Sequence, residues 1–313
     1  MPKTTVVVVT WRGRELVGAC LDALMAQSAP HDVLVVDNAS DDGTAAVLAA
    51  HPSRPRVLRL PQNRGYAGGL AAALPLVDTP YLAWLNDDAQ PAPDWLAELE
   101  AVLDAEPTVA AAGSVLLSTD GALQSAGVRL TGLGYGGDVT DPRPDAVFGF
   151  CGGAALLRTD ALRKAGGVPA GFFCYYEDTD TAWRLRLAGH DVRAVPTARV
   201  LHRHGASSRP GSPAFHRWNE RNRLLMLLRC APAAVVVREL ARFAAITAAL
   251  PFRGRLGNGQ PAPNHRVAQR LTVLAAVLAR LPATLVQRTT IGRRATIPRR
   301  ELWRRWALTR APR

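Results

Sequence analysis

Four stretches of this chain put carboxylates or an imidazole where an apolar run ends. Tyr81–Leu85 leads into Asn86-Asp87-Asp88, Val33–Val36 into Asp37, Phe172–Tyr176 into Glu177-Asp178-Thr179-Asp180, and Ala198–Leu201 into His202. In an open α/β sheet the carboxyl ends of strands are where ligands bind. Adjacent carboxylates repel each other. A hard divalent cation that also holds the oxygens of a substrate diphosphate relieves that repulsion, and a solvated Asn-Asp-Asp turn is the plainer alternative. Asp37, facing the crevice, can accept the imide N–H of a uracil or thymine ring, while Ser40, Asp41 and Asp42 cap the helix after it. Among the acids that follow the aromatics, Asp178 is suited to take a proton from an acceptor hydroxyl. Negative residues at a helix N-terminus are also favourable through the dipole alone. His202 ends one apolar strand as Asp88 follows another, and an imidazole and a carboxylate can share one divalent ion.

The elements that position these residues follow from pattern. Thr4–Thr10 is continuous and β-branched, as a strand buried on both faces should be. Helices over Leu16–Ala26 and Thr44–His51 alternate with strands at Val33–Val36 and Val57–Leu60, a βαβαβ opening that folds into a parallel sheet. Asn63-Arg-Gly65-Tyr-Ala-Gly68-Gly69 precedes a helix predicted over Leu70–Leu74. It offers backbone N–H groups to phosphate or simply allows tight packing, and it has neither the Walker A lysine nor G-x-G-x-x-G spacing. From Thr108 the strands shorten to Val109–Gly113 and Val115–Leu117. Gly132–Gly137 reads as a mobile loop over the site or as linker. Phe148–Arg158 reads as a strand with glycines for close approach, and Thr181–Ala188 as a helix.

The totals set limits. The chain has 313 residues and an apolar fraction of 48%, enough for a substantial core. Net charge is −5 over residues 1–210 and +17 over 211–313, an asymmetry that points to a polyanionic surface, anionic lipid or nucleic acid. Cys20, Cys151, Cys174 and Cys230 form no C-x-x-C pair, so neither a zinc site nor a disulfide scaffold is expected, and a reducing cytoplasm is the simpler setting. The N-terminus enters a strand at once, with no room for a signal peptide. Apolar runs such as Leu271–Ala279 fall short of the ~20 residues that span a bilayer, so no transmembrane helix is expected.

Taken together, V-V-V-V-T-W, V-V-D-N-A-S-D-D-G-T, N-R-G-Y-A-G-G, L-N-D-D-A, Y-Y-E-D-T-D-T-A-W-R-L and V-L-H-R-H-G-A-S resemble glycosyltransferase family 2, nearest its bacterial rhamnosyltransferase-like branch. The resemblance covers about the first two thirds of the chain, and the ordered set is far more specific than any one motif. It implies an α/β GT-A (nucleotide-diphospho-sugar transferase) fold with a mostly parallel central sheet, followed by a basic α-helical C-terminal extension. The catalytic domain would be residues 1–214, with a nucleotide-sugar half to about 107 and an acceptor half over 108–214, and the extension residues 215–313.

By the same resemblance Thr10 and Asp37 would line the base pocket, Asn63 and Gly65 the nucleotide loop, and Asp87 the ribose or diphosphate side, with Trp11 also among the nucleotide-sugar-binding residues. Asp88 and His202 would hold a divalent metal, Mg2+ or Mn2+, and Asp178 would be the base. Gly152, Gly153, Glu177 and Trp183 would stand on the acceptor side. Asn86 replaces the first acid of the family's Asp-x-Asp motif. The implied reaction is inverting transfer of a sugar, rhamnose by likeness, from a UDP- or dTDP-sugar to a hydroxyl of a lipid-linked or cell-wall glycan.

Phe215–Arg229 resembles the Arg-Asn-Arg-Leu segment of that branch, in which Arg221 and Arg223 meet the diphosphate or acceptor, or line one face of a helix. Val235–Leu250 and His265–Leu281 set arginines on one face, and residues 299–306 set Leu302, Trp303 and Trp306 against four arginines. Such helices suit an anionic membrane surface, which places the protein in the cytoplasm, peripheral at the inner face of the cell membrane. No nucleic-acid-binding signature accompanies the charge. A nucleotidyltransferase would want a basic glycine-rich signature near the first strand, of which Trp11-Arg-Gly-Arg14 is a poor version. A catalytically silent scaffold would be expected to lack the acids.

Overall fold

The computed structural model describes residues 1–141, 147–203, 211–253, 264 and 266–308. The run of valines folds as its composition dictates: β1 (Thr4–Thr10) is buried along its whole length. Val7 and Val9 enter the apolar layer on one face of the sheet, Val6 and Val8 the layer on the other. Parallel to β1 run β2 (His31–Asp37), itself flanked by β3 (Arg56–Arg59), and on the other side β4 (Tyr81–Asn86). The crossovers are α1 (Val17–Met25), α2 (Thr44–Ala50) and α3 (Gly65–Ala73). Because Thr10 pairs with Asp37 and Val9 with Asn86, the polar strand ends share one edge.

After the short β5 (Ala89–Pro91) and α4 (Trp95–Ala105) come β6 (Val109–Leu117), β7 (Leu123–Ser125), β8 (Val128–Thr131), β9 (Gly136–Asp138), β10 (Ala154–Arg158), α5 (Thr159–Lys164), α6 (Glu177–Leu187) and β11 (Asp191–His202). The sheet order is β3-β2-β1-β4-β10-β6-β11-β5, with β7 on β6. β10 is antiparallel to β4 and β6, so its first residues lie beside the last residues of β4. β11 is parallel to β6 and meets β5 antiparallel, pairing His202 with Ala89. Both connections carry chain to the edge where Asn86-Asp87-Asp88 emerges.

The structure departs from the sequence expectations at several glycines. Gly132–Gly137 is neither linker nor free loop but the turn and return strand of a β8–β9 hairpin. The helix expected at Leu70 begins at Gly65, and the one expected at Thr181 begins at Glu177. Gly69 belongs to packing, for a Cβ there would lie 2.6 Å from the Val9 side chain. Val109–Leu117 is one strand rather than two.

The basic C-terminal part forms α7 (Pro213–Cys230, capped by Ser212), α8 (Ala233–Arg253), α9 (Val267–Arg294), α10 (Arg299–Trp306) and β12 (Ala307–Leu308), which pairs with β8. Part of its polarity departs from the expectation: Arg238, Arg242, Arg266 and Arg280 are exposed as expected, but other arginines turn inward. Arg221, Arg223, Arg229 and Arg270 are buried. Arg270 donates to Thr247 Oγ1 (2.9 Å) and Phe243 O (3.0 Å) and stacks over the Phe243 ring at 3.8 Å. Arg288 donates to the carbonyls of Leu228 and Ala231, both at 2.8 Å. Outward on α9 stand Leu271, Leu278, Leu285 and Val286, each 47–67% exposed. Leu302 is buried, Trp303 stacks on Trp183 at 5.8 Å, and Trp306 meets Phe148 at 6.0 Å with Arg186 4.0 Å from its ring. The two tryptophans therefore pack onto the body of the protein. α9, with 28 residues, is the one helix among the described residues long and apolar enough by length and composition to cross a membrane. The expectation of none counted uninterrupted apolar runs, which Arg280 breaks. The helix is only 22% buried over that stretch.

Candidate active site

A cavity of about 750 Å3 opens at the edge where the strands end. Its wall takes Trp11, Asn63, Gly65 and Asp87 from the parallel half. From beyond it come Asp88, Gly152, Gly153, Glu177, Asp178 and His202. The acids and the imidazole therefore converge, although 114 positions separate Asp88 from His202.

The convergence turns on two glycines at the start of β10. Asn86 N donates to Gly153 O at 3.0 Å, and Tyr66 Oη donates to Gly152 O at 2.6 Å. A Cβ on Gly152 would lie 3.3 Å from the Asp178 carboxylate, and one on Gly153 would lie 3.7 Å from His202 Nε2. Gly152 thus lets the Asp178 carboxylate approach the backbone, whereas Gly153 is required by Leu116, whose side chain a Cβ there would meet at 2.9 Å. Asp178 is held there, with Oδ2 accepting from Gly152 N (3.0 Å) and Oδ1 from Thr179 N (2.5 Å) and Oγ1 (3.0 Å).

His202 is oriented by a residue the sequence reading missed. Gln124 Nε2 donates to His202 O (2.9 Å), which leaves Gln124 Oε1 as the acceptor facing His202 Nδ1 at 3.0 Å. With Gln124 Oε1 accepting, Nδ1 carries a proton, and Nε2 is the ring nitrogen that would be left to ligate a cation. Nε2 lies 3.2 Å from Asp88 Oδ1 and 3.1 Å from Asn86 Nδ2. A ring nitrogen and a carboxylate oxygen facing each other at that distance suit a shared cation. Among the described residues no group of three or more Asp, Glu, His or Cys side chains forms a metal cage. Asp88 and His202 supply one oxygen and one nitrogen, a set that leaves most positions of a divalent ion to diphosphate oxygens and water. The residues present fit such an ion.

Burial shapes the acids. Asp87, 4% exposed, receives the Thr10 hydroxyl at 2.6 Å, yet burial and then the Asp88 charge push its carboxyl up to about 7. Gly13 crowds the same carboxylate, for a Cβ there would lie 2.4 Å from Asp87 Oδ2. Burial, then the neighbouring Asp178 charge, raises Glu177 to about 8, and burial first raises Asp178 as well. Glu177 Oε2 is buried without a hydrogen-bond partner. The turn before these acids is strained. Phe173, Tyr175 and Tyr176 have φ of +67°, +71° and +68°, at a cost on the order of 1–3 kcal/mol each.

Several expected residues stand elsewhere. Thr10 orients Asp87 and does not line the cavity. Asp37, 1% exposed, holds its place at the end of β2, but its carboxylate is engaged by Arg59 and by Ser40 N (2.9 Å). Its neighbour Asn38 lines the cavity instead. Trp183 is not on the acceptor side. It is fully buried against Phe148 and Trp303, because five residues along α6 from Asp178 turn it well away from the cavity face. Arg221 and Arg223 do not line the cavity. Arg221 donates to Phe172 O, and Arg223 to Leu133 O, Glu220 and Glu239. His204–Ser207 of the last motif lie outside the described residues.

The profile of "Glycosyl transferase family 2" matches residues 5–166, more than half of the chain. The chain belongs to glycosyltransferase family 2. Within the family it is rhamnosyltransferase-like. It is 29% identical over 227 residues to the N-acetylglucosaminyl-diphospho-decaprenol L-rhamnosyltransferase of Mycobacterium tuberculosis, which covers 61% of this chain and 72% of that one. Among solved structures it is similar to a mannosyltransferase from Pyrobaculum calidifontis in complex with GDP-Man and Mn2+. There the TM-score is 0.56 at 22% identity, covering 94% of this chain and 86% of that one. Residues 1–349 of TarS from S. aureus in complex with UDP-GlcNAc give a TM-score of 0.59 at 17% identity, covering 93% and 90%. These likenesses show the GT-A fold, and this family 2 member is a glycosyltransferase.

Proposed function

We propose that this glycosyltransferase moves a sugar from a UDP- or dTDP-sugar, rhamnose by its likeness to the mycobacterial enzyme, onto a hydroxyl of a polyprenyl-linked glycan, with inversion. The observation that carries the reading is that Asp88, Asp178 and His202 face one cavity of a size that admits a sugar nucleotide. The base would lie by Trp11, Asp37 and Asn38, and the nucleotide against Asn63 and Gly65, where the N-terminus of α3 favours phosphate. Asp87 would stand at the ribose or diphosphate. Asp88 and His202 would hold Mg2+ or Mn2+, which when bound supplies charge stabilisation to the diphosphate. Gly152, Gly153 and Glu177 would border the acceptor.

Asp178 takes the proton of the acceptor hydroxyl in a single in-line displacement at the anomeric carbon. Its two backbone N–H partners fix its orientation and favour its charged form, against the burial that disfavours it. Residues 1–214 act as the catalytic domain in this reading, with nucleotide-sugar and acceptor halves meeting near residue 107, and residues 215–313 as the basic helical extension.

The outward leucines of α9, with exposed arginines nearby in the +17 segment, support peripheral binding to an anionic membrane on the cytoplasmic face. That is where a lipid-linked acceptor would be met.

Thermal shift with UDP, dTDP, GDP and their sugars, with and without Mn2+ or Mg2+, tests the donor. At 100-fold excess over Kd a ligand adds about 2.7 kcal/mol of apparent stability. UDP or dTDP should raise Tm only with the metal, and an unmoved Tm across the panel overturns the reading.

A further inference from the structure

The turn that presents the acids is made of residues that resist it. Phe173, Tyr175 and Tyr176 all have positive φ without being glycine, a conformation that a residue with a Cβ leaves when nothing holds it. Tyr176 is also the N-cap of α6, so relaxing the turn re-aims the first turn of that helix, and Glu177 and Asp178 with it. On one side the turn is held by the parallel half. Ala67 N donates to Phe173 O at 3.0 Å, and only a glycine at position 65 admits that carbonyl, since a Cβ there would lie 2.2 Å from it.

On the other side it is held by one side chain of α7. Asn222 is fully buried, and its amide nitrogen lies 2.9, 2.8 and 2.8 Å from the carbonyl oxygens of Phe172, Cys174 and Tyr175. Arg221 Nε donates to Asn222 Oδ1 at 2.9 Å, while its Nη2 donates to Phe172 O at 2.6 Å. The amide is thereby oriented, because its oxygen faces a donor and its nitrogen must face the carbonyls. Two N–H groups shared among three converging carbonyls have no role in the core of α7. They fit a clamp on the turn.

We propose that Asn222 is a positioning residue for sugar transfer. Its amide fixes the positive-φ turn Phe173–Tyr176 and so fixes where the Asp178 carboxylate stands in the cavity. The part concerning Asp178 rests on the function proposed above. The part concerning the turn does not, and Cys174, inside the turn, reports on it directly.

The test uses the full chain with Asn222→Asp, which keeps the shape and removes the donor, and Asn222→Ala. N-ethylmaleimide labelling of Cys174, peptide-resolved hydrogen exchange, calorimetric Kd for UDP and dTDP with Mn2+, and turnover of dTDP-rhamnose or UDP-GlcNAc with a polyprenyl-diphospho-GlcNAc acceptor are measured. Labelling and exchange over 172–178 should rise about tenfold or more while β1 and β4 keep their protection. Turnover should fall about tenfold or more with nucleotide Kd within about twofold. Tyr175→Gly, which makes a positive-φ residue unstrained, should restore part of the turnover of Asn222→Ala relative to Tyr175→Gly alone.

Exchange that rises evenly across the sheet, unchanged Cys174 labelling, or turnover and nucleotide affinity falling in proportion overturns the proposal. Should the wild-type chain turn over neither donor, the positioning role falls with the function, and labelling alone decides whether Asn222 clamps the turn.

Discussion

The parallel half and the C-terminal helices both bury apolar side chains, but only the helices bury several arginines among them. In β1 and its neighbours the apolar side chains fill both faces of the sheet and the polar ones gather at the strand ends. In α7 to α9, Arg221, Arg223, Arg229 and Arg270 point inward and Leu271, Leu278 and Leu285 point out. The difference lies in what each element faces. A strand between two strands has its backbone satisfied by its neighbours, so its interior positions take apolar side chains, and the threonines at the ends of β1 find single polar partners in Glu100, Thr79 and Asp87. The helices meet backbone carbonyls and buried carboxylates of neighbouring elements, and a guanidinium with five donors engages several of them at once. A charge in a sequence therefore predicts a polar partner, and the partner is water only where no carbonyl or carboxylate lies opposite.

The sharpest way to break the comparison is at the site both regions share. Asp178→Asn keeps the shape and the hydrogen bonds to Gly152 and Thr179 are weakened, but the proton acceptor is lost. Turnover should fall about a thousandfold, within the range for loss of a general base, with nucleotide Kd little changed. Turnover near the wild-type rate would remove Asp178 from the chemistry and leave Glu177, whose Oε2 has no partner, as the acid to examine.

Next in size is a test of the inward arginines. Arg223 is 2% exposed and joins Glu220, the fully buried Glu239, Leu133 O and the Tyr135 ring 4.3 Å away. Arg223→Met should cost about 3–5 kcal/mol in denaturant unfolding, because it strands a buried carboxylate. A loss below about 1 kcal/mol would mean that Glu239 is satisfied by Arg238 and Arg242 alone.

These contrasts explain what could be read beforehand. β1, β2 and β4 were legible because burial on both faces leaves continuous apolar runs. Asp88, Asp178 and His202 were legible because a polar residue closing such a run has few structural reasons to be there. Gln124 carried no signal, since a single glutamine before a hairpin looks like any surface residue until His202 is folded against it. Asn222 stood inside a quoted motif, yet nothing in Arg-Asn-Arg says that the amide faces three carbonyls. Trp183 and Thr10 belonged to motifs of which some other members line the cavity, and only helix phase and strand register separate them.

A smaller effect concerns pH. Glu177 is raised to about 8 by burial and by Asp178. Below pH ~4.5 the folded and unfolded chains are both protonated there, and the group contributes no difference. Between ~4.5 and 8 the folded chain keeps a proton that the unfolded chain has released, so stability falls as pH rises, and above 8 the full penalty stays. Glu177→Gln should therefore be more stable than wild type by at least about 1 kcal/mol at pH 8.5, with the difference vanishing near pH 4. Parallel curves for the two proteins would show that the orphaned carboxylate is solvated after all.

The smallest effect on stability is expected on the outward face of α9. Leu278→Glu with Leu285→Glu adds charge to two outward positions of α9 that are 64% and 47% exposed. Exposed helical substitutions of this kind change stability by within about 0.5 kcal/mol. Sedimentation with vesicles rich in anionic lipid should nevertheless drop sharply, whereas replacing the inward Arg270 should lower Tm first. If the double variant unfolds like an Arg223 variant, α9 is a core helix whose cover has yet to be accounted for. If it binds vesicles as well as wild type does, the outward leucines are not what meets the lipid, and the exposed arginines flanking them must carry that contact by charge alone, with the steep salt dependence that implies.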